Sequence, residues 1–205
     1  MENLKARNQT RTEEILKDCN ALLSGHFLLS SGRHGGQYMQ CAKIQQYPEL
    51  LEEITAMIAE QLKADIHIGG RQKLADIVVA PALGGIAFGY ALARQLGTES
   101  IFTERVEGKM TLRRGFEIPA GARVIVAEDV ITTGLSTREV IEVVESCKGI
   151  PVGAAAMVDR SGGTVQIGTP LVTAYSKQIP SYLPEECPLC ADGDGPKLVK
   201  PGSRG

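Results

Sequence analysis

The chain has 205 residues, 43% hydrophobic and 22% charged, which fits one compact domain with a substantial core. Its formal net charge of −2 gives no global attraction to nucleic acid or an anionic membrane, so any anion must be bound locally. No apolar run is long enough to span a bilayer, and the polar, mixed-charge start MENLKARNQTRTEEIL reads against a secretory signal.

In chain order, Thr10-Arg11-Thr12-Glu13 has the form of a capping box. Ile15, Leu16, Cys19, Leu22 and Leu23 follow at helical spacing, predicting a helix that runs to Gly25. Residues 26–44, rich in Gly, Ser and His, read as short strands and turns. Pro48 opens the next helix, with Leu50, Ile54, Met57, Ile58 and Leu62 as its apolar stripe. Ile77-Val78-Val79-Ala80 is a short apolar run, followed by a helix with Phe88, Leu92 and Leu96 on one face. Val124-Ile125-Val126-Ala127 is a second run, ahead of a helix carrying Val140, Ile141 and Val144. Residues 152–158 and 171–175 are a third and a fourth. Unbroken runs of this kind predict strands buried on both faces, and their alternation with helices predicts a parallel sheet with right-handed crossovers. The fold class is therefore α/β, doubly wound and mostly parallel. The tail from Pro180 holds five of the ten prolines; it is expected to lie over the surface or a partner rather than continue the sheet.

Cys19, Cys41, Cys147, Cys187 and Cys190 are odd in number and scattered, which favours reduced thiols in a cytoplasm. Cys187-Pro188-Leu189-Cys190 is a single Cys-x-x-Cys. A structural zinc site needs four ligands, and the remaining cysteines and the three histidines offer no second paired motif. The favoured reading is a plain turn with free thiols; zinc or redox chemistry are the alternatives.

Four segments carry the chemistry. In Val124 to Ser136, a buried run is followed by adjacent acids, Glu128 and Asp129, where open α/β sheets bind ligands. Val130, Ile131 and the turn Thr132-Thr133-Gly134-Leu135-Ser136 then lead into a helix amino terminus, a place suited to an anion. Acids for ribose hydroxyls beside a phosphate cradle describe a ribose-phosphate pocket; the plain alternative is an acidic turn and a capped helix. Gly84 and Gly85, between a buried strand and a helix, permit close backbone approach to a ligand, or simply a tight turn. Phe102 to Phe116 holds Arg105, Lys109, Arg113 and Arg114 around Gly108, which suits a closing loop over a departing anion; a solvated charged hairpin is the alternative. Arg160, at the end of the third run, offers a planar fork to a carboxylate unless Asp159 pairs with it.

With these residues the chain resembles the type I phosphoribosyltransferases, whose signature for phosphoribosyl pyrophosphate (PRPP) matches residues 124–136. Met157-Val158-Asp159-Arg160 and the Phe-x-Leu-x-Ser-Gly-Arg stretch at residues 27–33 resemble the orotate-using branch, and the likeness runs from about residue 10 to 178. The resemblance implies a small hood over residues 1–44, a core over 45–178, and a Pro/Gly-rich tail over 179–205. It implies transfer of the phosphoribosyl group of PRPP to orotate in pyrimidine biosynthesis, with Mg²⁺ held mainly by PRPP and no dedicated metal cage. It assigns Glu128 and Asp129 to the ribose hydroxyls, the segment Val130 to Ser136 to the 5′-phosphate, and Gly84 and Gly85 to the pyrophosphate. Arg105 and Lys109 go to PRPP from a loop shared across a homodimer; Arg160 and Thr132 go to orotate. Lys109 and Asp129 are the catalytic candidates, and Tyr38 either stacks on the base or packs the hood. Common members have lysine at the positions of Ser30 and Gly84, Arg-Lys where this chain has Glu104-Arg105, and histidine near Met110 or Thr111. A purine phosphoribosyltransferase and a non-enzymatic PRPP-sensing regulator are the rival readings.

Overall fold

A computed structural model describes residues 2–29, 32–66, 69–70, 72–192 and 195–201. The chain begins with helix α1 (Glu2–Asp18), then strands β1 (Leu22–Leu28) and β2 (His34–Met39), a short helix α2 (Ala42–Gln45) and helix α3 (Pro48–Asp65). The central stretch comprises β3 (Ile77–Pro81), α4 (Gly84–Leu96), β4 (Glu99–Val106), β5 (Lys109–Leu112), β6 (Arg123–Ile131), α5 (Leu135–Ser146), β7 (Ile150–Asp159) and β8 (Leu171–Ser176). The tail adds β9 (Ser181–Tyr182), a 3-10 turn (Pro184–Glu186), α6 (Pro188–Ala191) and β10 (Leu198–Val199).

The main sheet has the order β5-β4-β3-β6-β7-β8, parallel throughout except for the edge strand β5, which runs antiparallel to β4. The doubly wound expectation holds. Strand alternation splits the core in two. Ile125 and Ala127 of β6 join the cluster formed with α1, α3 and α4, while Val124 and Val126 join Val140, Ile141 and Val144 of α5 on the other face. Burying each such Val, Ile or Leu contributes about 1.5–3 kcal/mol.

Three expectations change. Helix α1 begins well before the capping-box residues, and Thr12 lies buried inside it rather than at its start. The helix also stops at Asp18, so Leu22 and Leu23 belong to β1; β-pairing with Met39 and Tyr38 outweighs a helical spacing that happened to continue. On α3 the buried stripe includes Leu51, with Leu50 and Met57 only partly covered. The side chain of Gln9 on α1 brackets the backbone of Ser176, donating to its carbonyl at 3.0 Å and accepting its N–H at 2.8 Å. This fixes α1 against the edge of the main sheet.

The hood is a second sheet of order β10-β1-β2-β9. Its centre is the β1–β2 hairpin, and both outer strands come from the tail: β9 pairs antiparallel with β2 and β10 parallel with β1. The tail therefore stays off the main sheet, as expected, yet it completes the hood. Arg33 helps to hold it, donating from Nε to Ser181 Oγ at 3.0 Å and from Nη2 to the Ser181 carbonyl at 2.6 Å.

Candidate active site

Strand β6 runs four residues past its apolar start. Glu128, Val130 and Ile131 still pair with Ala156, Val158 and Asp159 of β7. The two acids thus lie inside the end of a buried strand, ahead of Val130 and Ile131, not beyond it. Alternation sends them to different neighbours. Glu128 lines a pocket of about 220 Å³ together with Val130 to Thr137, whereas Asp129 turns toward the start of α4. Glu128 is buried, and its carboxyl is pushed up to about 9, first by that burial and then by the charge of Asp129. In the free protein at neutral pH it holds a proton.

That proton has a measurable consequence. A carboxyl that ionises near 4.5 when unfolded and near 9 when folded makes the folded state bind the extra proton between those values. Its favourable share of stability is complete below the lower value and is lost as pH rises toward the upper one. Glu128→Gln, which mimics the neutral acid, is expected to stabilise the free protein at pH 8 by at least about 1 kcal/mol and to flatten the loss between pH 5 and 9. Urea midpoints across that range check it; parallel profiles for the two proteins would contradict the buried proton.

The wall opposite Glu128 is the turn into α5. Gly134 is left-handed (φ 74°), and a Cβ there would meet Ile167 and Val165 at 2.8 Å and Arg138 at 3.0 Å, so only glycine fits without a shift. Arg138 locks the turn, donating to the carbonyls of Thr133 and Gln166, both at 3.0 Å. Thr132 and Thr133 are exposed at its rim. Hydroxyls and backbone groups at the amino end of a twelve-residue helix favour a bound anion through the helix dipole.

Asp129 meets the second glycine turn. A Cβ on Gly84 would stand 2.8 and 2.9 Å from its carboxylate oxygens, and one on Gly85 would stand 3.1 Å from Pro81 and 3.3 Å from the Ala127 carbonyl. Gly84 therefore keeps open the space that Asp129 occupies. Gln45 of α2 joins them, donating to the Gly84 carbonyl at 2.9 Å and lying 3.5 Å from Asp129 Oδ2.

Arg160 follows β7 directly, and its N–H donates to the Ile131 carbonyl at 2.8 Å, which sets it beside Thr132. Asp159 does not pair with it. That buried carboxylate instead accepts the N–H groups of Ser161 and Gly163, both at 2.7 Å, and the Ser176 hydroxyl at 2.9 Å. Among the described residues Arg160 Nε is buried without a hydrogen-bond partner. Burial draws its pKa below the ordinary guanidinium value, opposed by the nearby Cys41 and Tyr38. The Cys41 thiol, pushed up chiefly by burial, senses Asp129 as well as Arg160. The junction of hood and α2 thus lies between the acid and the arginine. Tyr38 packs on Phe27 with ring centroids 5.8 Å apart and also lies within electrostatic reach of Arg160.

The basic segment is a β-hairpin with its turn at Glu107 and Gly108. Arg105 ion-pairs with Glu139 of α5 and donates to the Gly108 carbonyl at 2.7 Å. Lys109 is exposed beside Glu139 and Glu142. Neither lines the pocket at Glu128. Arg114, stacked 5.8 Å over Phe102, makes a two-pronged contact with Glu104 at 2.9 and 2.8 Å, lowering that acid's pKa. The acid at position 104 is thereby matched by a cation within the same hairpin. Ser30 lies outside the described residues. Sequence reasoning overlooked Gln45, Arg138 and Cys41, each of which acts through folded proximity rather than through a motif.

A parallel sheet with adjacent acids at one strand tip, a hydroxyl-lined cradle beside them and a glycine turn across from them defines a ribose-phosphate-binding α/β protein. Residues 41–179 match the model of the phosphoribosyl transferase domain, and the chain belongs to that family. It is 52% identical over 191 residues to the orotate phosphoribosyltransferase of Caldicellulosiruptor bescii, covering 93% of this chain and 95% of that protein. To the orotate phosphoribosyltransferase of Heliobacterium modesticaldum it is 45% identical over 197 residues, 96% of this chain and 99% of that one. Among solved structures it is similar to the orotate phosphoribosyltransferase of Aeropyrum pernix, with TM-score 0.61, 26% identity, and coverage of 80% of this chain and 92% of that chain.

Proposed function

We propose that the protein transfers the phosphoribosyl group of PRPP to orotate, giving orotidine 5′-monophosphate and pyrophosphate, a step of de novo pyrimidine synthesis. The observation that carries this reading is Arg160, a half-buried guanidinium with an unpartnered Nε beside Thr132, one strand from the phosphate cradle. Orotate has a carboxylate for that fork; adenine, hypoxanthine and uracil do not. A purine enzyme or a PRPP-sensing regulator leaves the buried donor without a purpose. Following orotate absorbance with Mg²⁺-PRPP, beside adenine, hypoxanthine and uracil, tests it: orotate alone should turn over. Preferential use of a purine, or binding of PRPP without turnover, would overturn it.

In this reading the 5′-phosphate sits in the turn Thr132 to Ser136 and the ribose hydroxyls meet Glu128 and Asp129. Pyrophosphate lies against Gly84 and Gly85. Orotate ionises readily, so the chain needs no strong base. Its task is to align the base nitrogen with the anomeric carbon, exclude water, and favour charge that develops as the C–O bond to pyrophosphate breaks and the C–N bond forms. The carboxylate oxygens of Asp129 would suit Mg²⁺ and its waters, with PRPP oxygens as the main ligands. Bound Mg²⁺ would screen the charge of the departing pyrophosphate.

Arg105 and Lys109 are assigned to PRPP in the closed state of the hairpin, after exchange of Glu139 for the substrate. We further propose a homodimer in which the hairpin reaches the partner's site. Exposed Leu83 and Tyr90, bordering an apolar groove between α3 and α4, supply a surface for such pairing. Mixing Lys109→Ala with Arg160→Ala protein should then recover about a quarter of wild-type activity per mixed sample, as expected if half the sites in random heterodimers are intact. Mixed dimers without recovered activity would contradict sharing. Among the described residues no helix is long and apolar enough to cross a membrane. We assign the chain to one catalytic domain working in the cytoplasm, with the tail strands β9 and β10 counted in its hood rather than outside a domain that ends at residue 178.

A further inference from the structure

The cysteines of the tail do not stand alone. His26 of β1 and His34 of β2 face Cys187 and Cys190, which flank the start of α6, and one ligand atom from each of the four lies within 4.8 Å of every other. His26 Nε2 is 3.1 Å from His34 Nδ1, 3.5 Å from Cys187 Sγ and 3.6 Å from Cys190 Sγ, and His34 Nδ1 is 3.2 Å from Cys190 Sγ. We propose that His26, His34, Cys187 and Cys190 form a structural zinc site that fastens the tail to the hood.

Four of the six ligand–ligand distances match the edges of a tetrahedron, and the other two lie within 4.8 Å. Zinc bonds of about 2.0–2.1 Å to nitrogen and about 2.3 Å to sulfur give edges of about 3.3 Å between nitrogens and about 3.6 Å between nitrogen and sulfur. The observed values fall within a few tenths of these. Hydrogen bonding explains the cluster less well. His26 Nδ1 lies 3.2 Å from the Pro196 carbonyl, the outer contact that orients a metal-binding imidazole and leaves Nε2 its lone pair. Three neighbours then converge on a single lone pair, which accepts one hydrogen bond well but, shared with a cation, satisfies all four groups at once. Two thiols and two imidazoles in a tetrahedral set select zinc over hard cations such as Mg²⁺. His26, His34 and Cys187 are buried and four protein ligands close the sphere, which marks a structural rather than a catalytic ion.

The site sits where it has most effect on the hood. Residues 187–190 lie between β9 and β10, the two strands through which the tail edges the hood sheet. One ion therefore fixes both edges to the hairpin whose β2 carries Tyr38. Each edge contributes only two paired residues, too little to hold by itself. The inference is independent of the substrate assignment above.

Untagged protein should contain about one zinc per chain by elemental analysis, and Co²⁺ replacement should give a tetrahedral spectrum with a thiolate charge-transfer band. Cys187→Ser and Cys190→Ser should each lose at least about 100-fold in zinc affinity, while Cys19→Ser keeps it. Chelation should speed proteolytic cleavage within residues 180–201. Zinc absent from protein prepared with zinc supplied, an octahedral cobalt spectrum lacking the thiolate band, or full zinc retention in the Cys187→Ser, Cys190→Ser double variant would each overturn the site. A Cys187–Cys190 disulfide in freshly prepared, metal-free protein would do so as well. The cobalt and zinc measurements on the unaltered chain hold even where a variant fails to fold.

Discussion

Arg160→Ala is expected to raise the Michaelis constant for orotate by about 100-fold, corresponding to about 3 kcal/mol, while that for PRPP changes less than about threefold. The magnitude follows from the setting. Arg160 is half-buried, its pKa is lowered by that burial, and Nε has no partner among the described residues. A charge-assisted pair with a carboxylate at such a place is worth more than at the surface, because water competes less. Arg160→Lys should recover only a small part, since an ammonium does not reproduce the planar fork. Steady-state kinetics with each substrate varied in turn gives the answer, and equal losses for both substrates would remove the base-reading role. Loss of stability is not expected to explain the effect, because Asp159, the acid next to Arg160, is satisfied by Ser161, Gly163 and Ser176.

Asp129→Asn is expected to lower kcat/KM for PRPP by about 10- to 100-fold, the value of one or two hydrogen bonds to a charged acceptor. The fold should survive. The carboxylate is half-exposed, and its structural bond to the Val130 N–H, at 2.9 Å, is one that an asparagine oxygen also accepts. What changes is the surface offered to the ribose between Gly84, Gln45 and the cradle. Unchanged PRPP kinetics in a variant with an unaltered melting temperature would contradict the ribose assignment. The Glu128→Gln variant sharpens the comparison, because Glu128 is protonated in the free protein and Asp129 lies on the opposite side of the same strand tip.

Much of this was legible in the sequence because the signals are local. Four unbroken apolar runs announced four of the five parallel strands, and an acid pair followed by a hydroxyl-rich turn announced the cradle; β4 was hidden because its charged second half reads as part of a loop. Pro48 marked the start of α3 because proline fits the first helical turn. Features that arise from strand pairing were hidden. Leu22 and Leu23 continue a helical spacing, yet pairing with β2 claims them. His26 and His34 are eight residues apart and are gathered by a hairpin, and Cys187 and Cys190 reach them only because the tail returns to edge the same sheet. No spacing rule reports such a quartet. Gln45 escaped notice for a similar reason: an unremarkable residue in a short helix, it meets Gly84 and Asp129 only when α2 docks. The basic segment lay in between. Its charge was plain, but the contact of Arg105 with Glu139 depends on how the hairpin folds over α5.

One location carries most of the proposed chemistry, the end of β6 together with the turn into α5. A crystal structure of the protein soaked with orotidine 5′-monophosphate tests it most directly. The nucleotide phosphate should lie against Thr132 to Ser136, its ribose hydroxyls against Glu128 and Asp129, and its base carboxylate on Arg160. A phosphate seated elsewhere, with that turn empty, would contradict it.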